Sequence, residues 1–403
     1  MCVFCVSLLG CGENKSKQLK QEPKEVLMWL VGSERQAQVV QDIGKEFFKH
    51  KGIEFRCEAI SWGDAHMKYL TSIAAEVAPD IGTIGLTWAT EFGKLGAMLD
   101  FAEEFPQELE EIKKSTFDGQ WQAASYRGKS YGIPFDLSMQ IMFYRSDIIH
   151  AAPGTWQELA DLLLSLKSEG KGMIFDWGSM SWIGYASYLW QAGGDFYNQE
   201  YTTSILDSDE AAEALKYFAS LYNELGVPKA KIPLEQGMRV GSFPIAISGN
   251  WKIDSLRLSA PEISGKWKVS MLPAGKTGRR TAFVGGRVMG IFNTSKNKKQ
   301  AWSFIKFLFE PETQVKLYEA ARQTEDSYLP SNVSAWDILP MEEEIKQILR
   351  MQAEDLKGPP AVLGWNESLR FVEGAIQRVI LQKADINAEL EKAAAELNKR
   401  IKQ

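Results

Sequence analysis

Histidine and cysteine, which supply most transition-metal ligands in proteins, are scarce in this sequence. Three histidines, His50, His66 and His150, occur among 403 residues, and their wide spacing matches no paired-ligand motif. Three of the four cysteines fall within the first eleven residues, which leaves Cys57 without a partner in the body of the chain. The sequence therefore predicts no metal site, no cofactor and no internal disulfide framework.

Nucleotide-binding and hydrolase motifs are also missing. Gly275, Lys276 and Thr277 suggest a phosphate-binding loop, but Ser270 stands where that motif requires glycine, and no helix pattern follows. No GxGxxG or GxSxG segment occurs. The net charge of −6 argues against a general attraction to nucleic acid or anionic lipid. These absences favour a binding protein over an enzyme and exclude a nucleic-acid partner.

No apolar run approaches the roughly 18 residues that a membrane-spanning helix needs. A short run from Val3 to Leu9 ends in Gly10 and Cys11, and a polar linker rich in Lys, Gln and Glu follows. This order is typical of a bacterial lipoprotein signal, although the usual positive n-region is absent. We interpret residues 1–24 as a signal remnant and linker, with Cys11 as the lipid-accepting residue of an extracytoplasmic, membrane-anchored protein. The alternative is a disordered N-terminus with incidental cysteines.

The body of the chain has the composition of a soluble globular protein large enough for two domains or more. Residues 25–31 predict a strand, and Val40, Ile43 and Phe47 follow at helical spacing. The segments IEFRCEAI and DIGTIGL predict two further strands, separated by a second helix that Pro79 ends. This β-α-β-α-β alternation indicates an α/β fold with a parallel sheet.

Later segments repeat the pattern and carry clear helix signals. Thr155 with Glu158 forms a capping box, Ser208 precedes another helix, and Pro311 takes the first position of a third. A new strand is expected at residues 137–145, and FPIAISGNW predicts one more. The last helix presents one apolar stripe, from Ile386 to Ile401.

The segment YGIPFDLSMQIMFYR resembles a buried strand, yet it contains Asp136. A buried carboxylate is costly unless it is paired. Its partner could be the hydroxyl groups of a ligand, or the acid could cap nearby backbone amides. Tryptophan is plentiful, with 13 residues, and some of these rings stand with Asp and Asn near predicted strand ends, where open α/β sheets bind ligands. Flat rings beside carboxylates and amides suit the faces and hydroxyls of a sugar.

Several segments, in a shared order, resemble the family 1 extracellular solute-binding proteins, the maltose-binding-protein-like receptors of ABC sugar importers. They are APDIGTIGLTWATEFGKLGAMLDF, YGIPFDLSMQIMFYR, WQAGGDF, FPIAISGNW, VGGRVMGIFNTSKNKKQAWSFIKFLFEPETQ and LPSNVSAW. The resemblance implies a monomeric, two-lobed periplasmic-binding-protein-like fold of type II that closes on a sugar by a hinge motion and presents it to the permease. It divides the chain into an N-lobe of 25–136 plus 287–327 and a C-lobe of 137–286 plus 328–403, with crossings near 135–139, 283–287 and 328–331.

The resemblance also implies ligand contacts, each at a position that matches a family segment. They fall after the first strand, after the third strand, on the hinge strands, in the C-lobe stacking segment and in two more variable C-lobe regions. The residues are Ser33 and Glu34; Leu86, Thr87 and Trp88; Asp136, Gly285, Gly286 and Arg287; Asn250 and Trp251; and Trp182, Tyr185 and Trp365.

Two alternatives to a sugar receptor remain open in the sequence. The same fold could bind a polyamine, a glycerol phosphate or a metal chelate, or the chain could be a lipid-anchored glycosidase that uses Asp136 and a second acid. Maltose specificity is not implied, because the cleft tryptophan and the C-terminal contacts of the maltose receptor do not align cleanly here.

Overall fold

The computed structural model describes residues 25–86, 88–175, 177, 181–323, 327–362 and 364–401. Within these ranges the strands are β1 Glu25–Val31, β2 Glu54–Ile60, β3 Ile81–Gly85, β4 Ser125–Tyr126, β5 Lys129–Ser130, β6 Ile133–Arg145, β7 Met173–Phe175, β8 Ile245–Gly249, β9 Trp267–Ser270, β10 Ala282–Ile291, β11 Leu329–Pro330 and β12 Leu356–Lys357.

The helices begin with α1 Glu34–Lys49, α2 Trp62–Ala74, α3 Ala89–Lys94, α4 Phe101–Glu104, α5 Pro106–Lys114, α6 Asp118–Ala124, α7 Trp156–Ser168 and α8 Ser181–Gln191. They continue with α9 Asp209–Asn223, α10 Leu234–Val240, α11 Lys252–Ser259, α12 Lys298–Phe309, α13 Pro311–Ala321, α14 Glu343–Ala353, α15 Trp365–Gln382 and α16 Ile386–Ile401. Short 3-10 turns lie at Pro261–Ile263 and Val333–Asp337.

Two long strands organise one mixed sheet with the order β2-β1-β3-β10-β6-β8-β7. The first part of the sheet contains parallel β1, β2 and β3. β10 runs antiparallel to β3, and the start of β6 runs antiparallel to β10. The second part contains the end of β6 with β7, β8 and β9. β11 pairs with β6, and β12 pairs with β10. β6 and β10 therefore connect the two parts of the sheet.

Each part of the sheet carries its own helices. In the first part, the α1 stripe predicted from the sequence buries Val40 and Ile43, and Phe48 stacks on Phe55 with ring centroids 5.6 Å apart. In the second part, Leu390 and Leu397 of α16 are buried, and α16 packs on α15 and α9. Burial of such apolar side chains is the main driving force for both halves of the fold.

The predicted helix starts are confirmed, although Glu158 Oε2 accepts from the Gly154 amide, at 2.6 Å, and not from the Thr155 amide of a capping box. The hydroxyls of Thr155 and Ser208 accept hydrogen bonds from the Glu158 and Ala211 amides, and Pro311 is the first residue of α13. The strand expected from 137 begins earlier, at Ile133, because β10 continues to pair with β6 through this region.

No helix in the described part of the chain combines the length and the apolar character needed to cross a membrane.

Candidate functional site

The three segments predicted as crossings lie side by side where the two parts of the sheet meet. Arg287 pairs with Asp136, Gly286 pairs with Leu137, and a bulge follows Arg287 on β10. Pro330 of β11 pairs with Asp136 from the other side. Gly286 has φ +112°, and a Cβ there would lie 2.2 Å from the Asp136 carbonyl oxygen. Only glycine fits this position, so the tight approach of β10 to β6 explains its presence.

Asp136 has a protein partner in this structure. Its Oδ1 accepts a hydrogen bond from the Arg287 amide at 2.8 Å, and its Oδ2 accepts one from Arg287 Nε at 2.8 Å, with a further contact from the second guanidinium nitrogen. The two side chains are buried. Burial raises the pKa of the Asp136 carboxyl, and the charge and hydrogen bonds of Arg287 oppose that rise. One of these contacts, from the Arg287 amide to Oδ1, matches the alternative prediction that Asp136 caps a backbone amide.

Arg287 connects β6 and β10 to β1 and α1. Its remaining nitrogen donates to the Val31 carbonyl and, at 3.1 Å, to Gln36 Oε1 of α1. The guanidinium carbon lies 5.1 Å from the ring centroid of Phe135 and 5.3 Å from that of Tyr328. Cation–π contacts of this kind add to the ion pair. Arg287 therefore joins β1, β6, β10 and the third crossing through one side chain.

Two indole rings stand at the carboxyl ends of β2 and β3. Trp88 and Trp62 lie 5.8 Å apart in an edge-to-face contact, and both border Gly85, the β3 residue paired with Arg287. Trp62 is 40% exposed and Trp88 is partly buried. A half-exposed aromatic pair at this edge offers an apolar face to a ligand.

A polar group lies next to these rings. Glu91 on α3 accepts from His66 Nε2, 3.0 Å away, and from Asn366 Nδ2 of α15, 3.2 Å away. The His66 ring lies 5.2 Å from that of Trp88. Because α15 packs with the second part of the fold, Glu91 joins the two parts near the indole pair.

On the other side, Asn250 and Trp251 directly follow the end of β8 at Gly249. Asn250 Oδ1 accepts from the Met139 amide at 2.8 Å, whereas its buried Nδ2 has no hydrogen-bond partner among the residues described. The partly buried ring of Trp251 contacts Tyr328 edge-on at 5.9 Å. A buried amide donor without a partner is uncommon and calls for an explanation.

The loop after β1 places polar residues at the same edge of the sheet as Trp62 and Trp88. Ser33 is the N-cap of α1 and accepts from the Gln36 amide at 3.3 Å, while Glu34 is exposed at the helix start. Leu86 follows β3 and donates from its amide to the Gly286 carbonyl oxygen at 3.3 Å. Thr87 lies outside the described residues, as does Cys11.

Three predicted contact residues are not brought together with the others. Trp182, Tyr185 and Trp365 are 0–2% exposed in the core of the second part. Trp182 and Trp365 meet edge to face at 5.5 Å, and the Tyr185 hydroxyl donates to the Ala211 carbonyl oxygen at 3.0 Å. The structure gives these rings packing roles.

Sequence reasoning missed Trp62, Gln36, Glu91, Asn366 and Tyr328. Trp62 carried a usable signal, because it follows β2 as closely as Trp88 follows β3. The other four are positioned by contacts between elements that are distant in the sequence, so no local sequence pattern could identify them. Among the residues that the structure describes, no cluster of three or more His, Cys, Asp or Glu side chains could hold a metal ion.

Comparison with known proteins identifies relatives along most of the chain. The family model described as bacterial extracellular solute-binding protein matches residues 42–347. A protein of Brucella abortus named as a binding protein is 26% identical over 388 residues, covering 90% of this chain and 89% of the relative. A maltooligosaccharide ABC transporter solute-binding lipoprotein of Streptococcus pneumoniae is 23% identical, covering 81% of this chain and 78% of the relative.

A solved structure shows the same fold. The sugar-binding protein MalE from Xanthomonas citri superposes with a TM-score of 0.84 at 22% identity, over 94% of this chain and 97% of that one. The predicted α/β periplasmic-binding-protein-like fold is thereby confirmed.

Proposed function

Since the chain belongs to the bacterial extracellular solute-binding proteins, we propose that it binds a sugar or oligosaccharide between two lobes and delivers it to an ABC permease. One observation carries this proposal: indole rings stand on both sides of the Asp136–Arg287 junction. Trp62 and Trp88 border Gly85 on one side, and Trp251 reaches the junction through Tyr328 on the other. Such rings suit the C–H faces of a sugar.

The lobes follow the two parts of the sheet. The N-lobe comprises residues 25–136 plus 287–327, and the C-lobe comprises 137–286 plus 328–403. The adjacent pairing of β6, β10 and β11 supports three crossings at one hinge. Closure about such a hinge would enclose a ligand that contacts both lobes.

The polar contacts favour a neutral ligand. Asp136 is compensated by Arg287, so this acid does not provide the free negative charge that would attract a polyamine. Asn250 Nδ2 offers a hydrogen-bond donor of the kind that a sugar hydroxyl accepts. The pneumococcal relative named for maltooligosaccharides and the Xanthomonas sugar-binding protein support the same ligand class.

Isothermal titration tests the ligand class directly. We expect maltose, maltotriose or another oligosaccharide to bind the full chain carrying Cys11→Ala with micromolar affinity, about −8 kcal/mol. Spermidine and glycerol 3-phosphate are titrated in parallel. Binding of either one, with no heat from any sugar, would overturn the proposed ligand class while leaving the family assignment intact.

Asn250→Asp should weaken sugar binding about tenfold, because it removes one donor hydrogen bond. The aspartate keeps an oxygen that can accept from the Met139 amide, so the local backbone contact survives. Titration of this variant beside Asn223→Asp, a substitution at the exposed end of α9, measures the effect. Equal affinity for the two variants would show that the Asn250 amide does not contact the ligand.

The remaining assignments concern location and partners. We propose that the protein acts as a monomer outside the cytoplasm, anchored by lipid at Cys11, and that it binds sugar without turnover. The pneumococcal relative, which is named as a lipoprotein, supports the anchor. No cofactor is needed for this function.

Cys11→Ala should release the protein from the membrane fraction, because the thiol that accepts the lipid is lost. Membrane fractionation followed by immunodetection measures this redistribution, and Cys57→Ala serves as the matched control because Cys57 lies in β2. Unchanged membrane partition of Cys11→Ala would refute the anchor.

A further inference from the structure

Asp254 is a buried carboxylate beside the proposed cleft that the ligand site itself does not use. It lies in the first turn of α11, three residues after Trp251, and is 3% exposed. Its Oδ1 accepts from Arg257 of the same helix at 2.7 Å. This intrahelical pair balances the charge of the acid but leaves further acceptor capacity on both oxygens.

Three other donors to Asp254 come from a different part of the chain. The Ser327 hydroxyl donates to Oδ2 at 2.7 Å, the Tyr318 hydroxyl lies 3.4 Å from the same oxygen, and Arg322 Nε lies 3.4 Å from Oδ1. Tyr318 is on α13, which packs against α1 and α12 of the first part of the fold. Ser327 and Arg322 flank the approach to the third crossing. A single acid thus gathers donors from both proposed lobes.

The position of Ser327 links this cluster to the ligand site. Its neighbour Tyr328 contacts the ring of Trp251 on one side and the guanidinium of Arg287 on the other. Asp254 is therefore connected to both Trp251 and Tyr328: it lies on α11, whose N-cap is Trp251, and it accepts a hydrogen bond from Ser327, which precedes Tyr328. A shift of either lobe would separate the acid from its donors.

We propose that Asp254 is a positioning residue that holds α11 against α13 and the third crossing, and thereby sets the affinity of the cleft for its sugar. The inference rests on the proposed function, because only a two-lobed receptor gains affinity from such a restraint. The contact stabilises the lobe arrangement seen here, in which Glu91 and Asn366 also meet. Loss of the restraint shifts the population toward more open forms, which bind more weakly.

Small-angle X-ray scattering of the unliganded full chain, carrying Cys11→Ala, tests the restraint without any ligand. We expect Asp254→Asn and Ser327→Ala each to increase the radius of gyration. Glu389→Gln is the matched control, because Glu389 is similarly buried and is paired with Arg378 and Lys392. Those partners lie on α15 and α16, within one lobe, so the control should lose stability without changing the radius of gyration.

Titration with the sugar provides a second readout. Asp254→Asn and Ser327→Ala should each bind the sugar about tenfold more weakly than the parent chain, which is within the usual range of coupling between sites. Glu389→Gln should keep the affinity of the parent chain. If Asp254→Asn does not fold, Ser327→Ala and Tyr318→Phe decide the matter, since each removes one donor only. An unchanged or smaller radius of gyration in the folded variants would overturn the proposal, even if no sugar binds. An increase without any sugar binding would uphold the restraint and reject the proposed ligand.

Discussion

Arg287→Met is expected to lower the free energy of unfolding by about 3–5 kcal/mol, the usual cost of removing one partner from a buried ion pair. The substitution would leave the Asp136 carboxylate without its guanidinium partner. It would also remove the donors to the Val31 carbonyl and Gln36, which fasten β1 and α1 to the hinge strands. Urea denaturation followed by far-UV circular dichroism measures the loss.

The loss should depend on pH. Burial raises the pKa of Asp136, and Arg287 opposes that rise, so the folded variant should have a still higher pKa at this carboxyl. An acid with a higher pKa in the folded state binds more protons there than in the unfolded state, and stability then falls as pH rises. The variant should therefore lose less stability near pH 4 than near pH 7, measured relative to the parent chain.

Two control variants separate the ion pair from general packing. Asp136→Asn with Arg287→Met should recover much of the loss, because no buried charge remains and the asparagine oxygen can still accept from the residue 287 amide. Arg145→Met should cost less than Arg287→Met, since its partner Asp147 keeps 39% of its side-chain exposure. Stability of Arg287→Met equal to that of the parent chain would contradict the assigned role of the pair.

The elements that the sequence predicted well are those whose cause is local. Strand β1 was predicted with the observed bounds, Glu25–Val31, because an apolar run and the break at Gly32 define it. The caps at Thr155 and Ser208 were also predictable, because each hydroxyl satisfies an amide only three residues ahead. Such features need no knowledge of the rest of the fold.

The site was predictable only in part, because its decisive contacts join distant residues. Asp136 and Arg287 were both identified, yet their pairing spans 151 positions and depends on the antiparallel register of β6 and β10. The sequence raised the question of what compensates the buried acid. It could not name Arg287, since a one-residue change in register would have aimed the two side chains at opposite faces.

Aromatic residues show the same limit. Trp182 and Trp62 each begin or nearly begin a helix that follows a strand, but α8 is buried along most of its length whereas Trp62 remains 40% exposed. The difference arises from what packs outside each helix. Phe196 and Trp365 of α15 enclose Trp182, and Trp365 is distant from it in the sequence. Residue type and strand position therefore suggest a stacking ring without showing that it is accessible.

Trp251→Ala is expected to raise the dissociation constant for the sugar by about thirtyfold or more, equivalent to about 2 kcal/mol. Its ring contacts Tyr328, which in turn contacts the guanidinium of Arg287. Removing it deletes an apolar face for the ligand and the aromatic contact to the third crossing together. Isothermal titration against the sugar that binds the parent chain measures the change.

Gly249→Ala tests the orientation of that ring while keeping it in the chain. A Cβ at residue 249 would lie 1.9 Å from Trp251 Cζ3, so the indole must move to accommodate the methyl group. Affinity should fall here as well, because stacking depends on the position of the ring and not only on its presence.

Trp267→Ala is the control for Trp251→Ala, because it removes an indole far from the proposed site. Trp267 pairs with Arg145 at the far end of β6, whereas Gly249, beside Trp251, pairs with Gln140. If Trp251→Ala and Trp267→Ala both bound the sugar as well as the parent chain does, Trp251 would not be part of the ligand site. Only the indole pair at Gly85 would then remain to stack on the sugar.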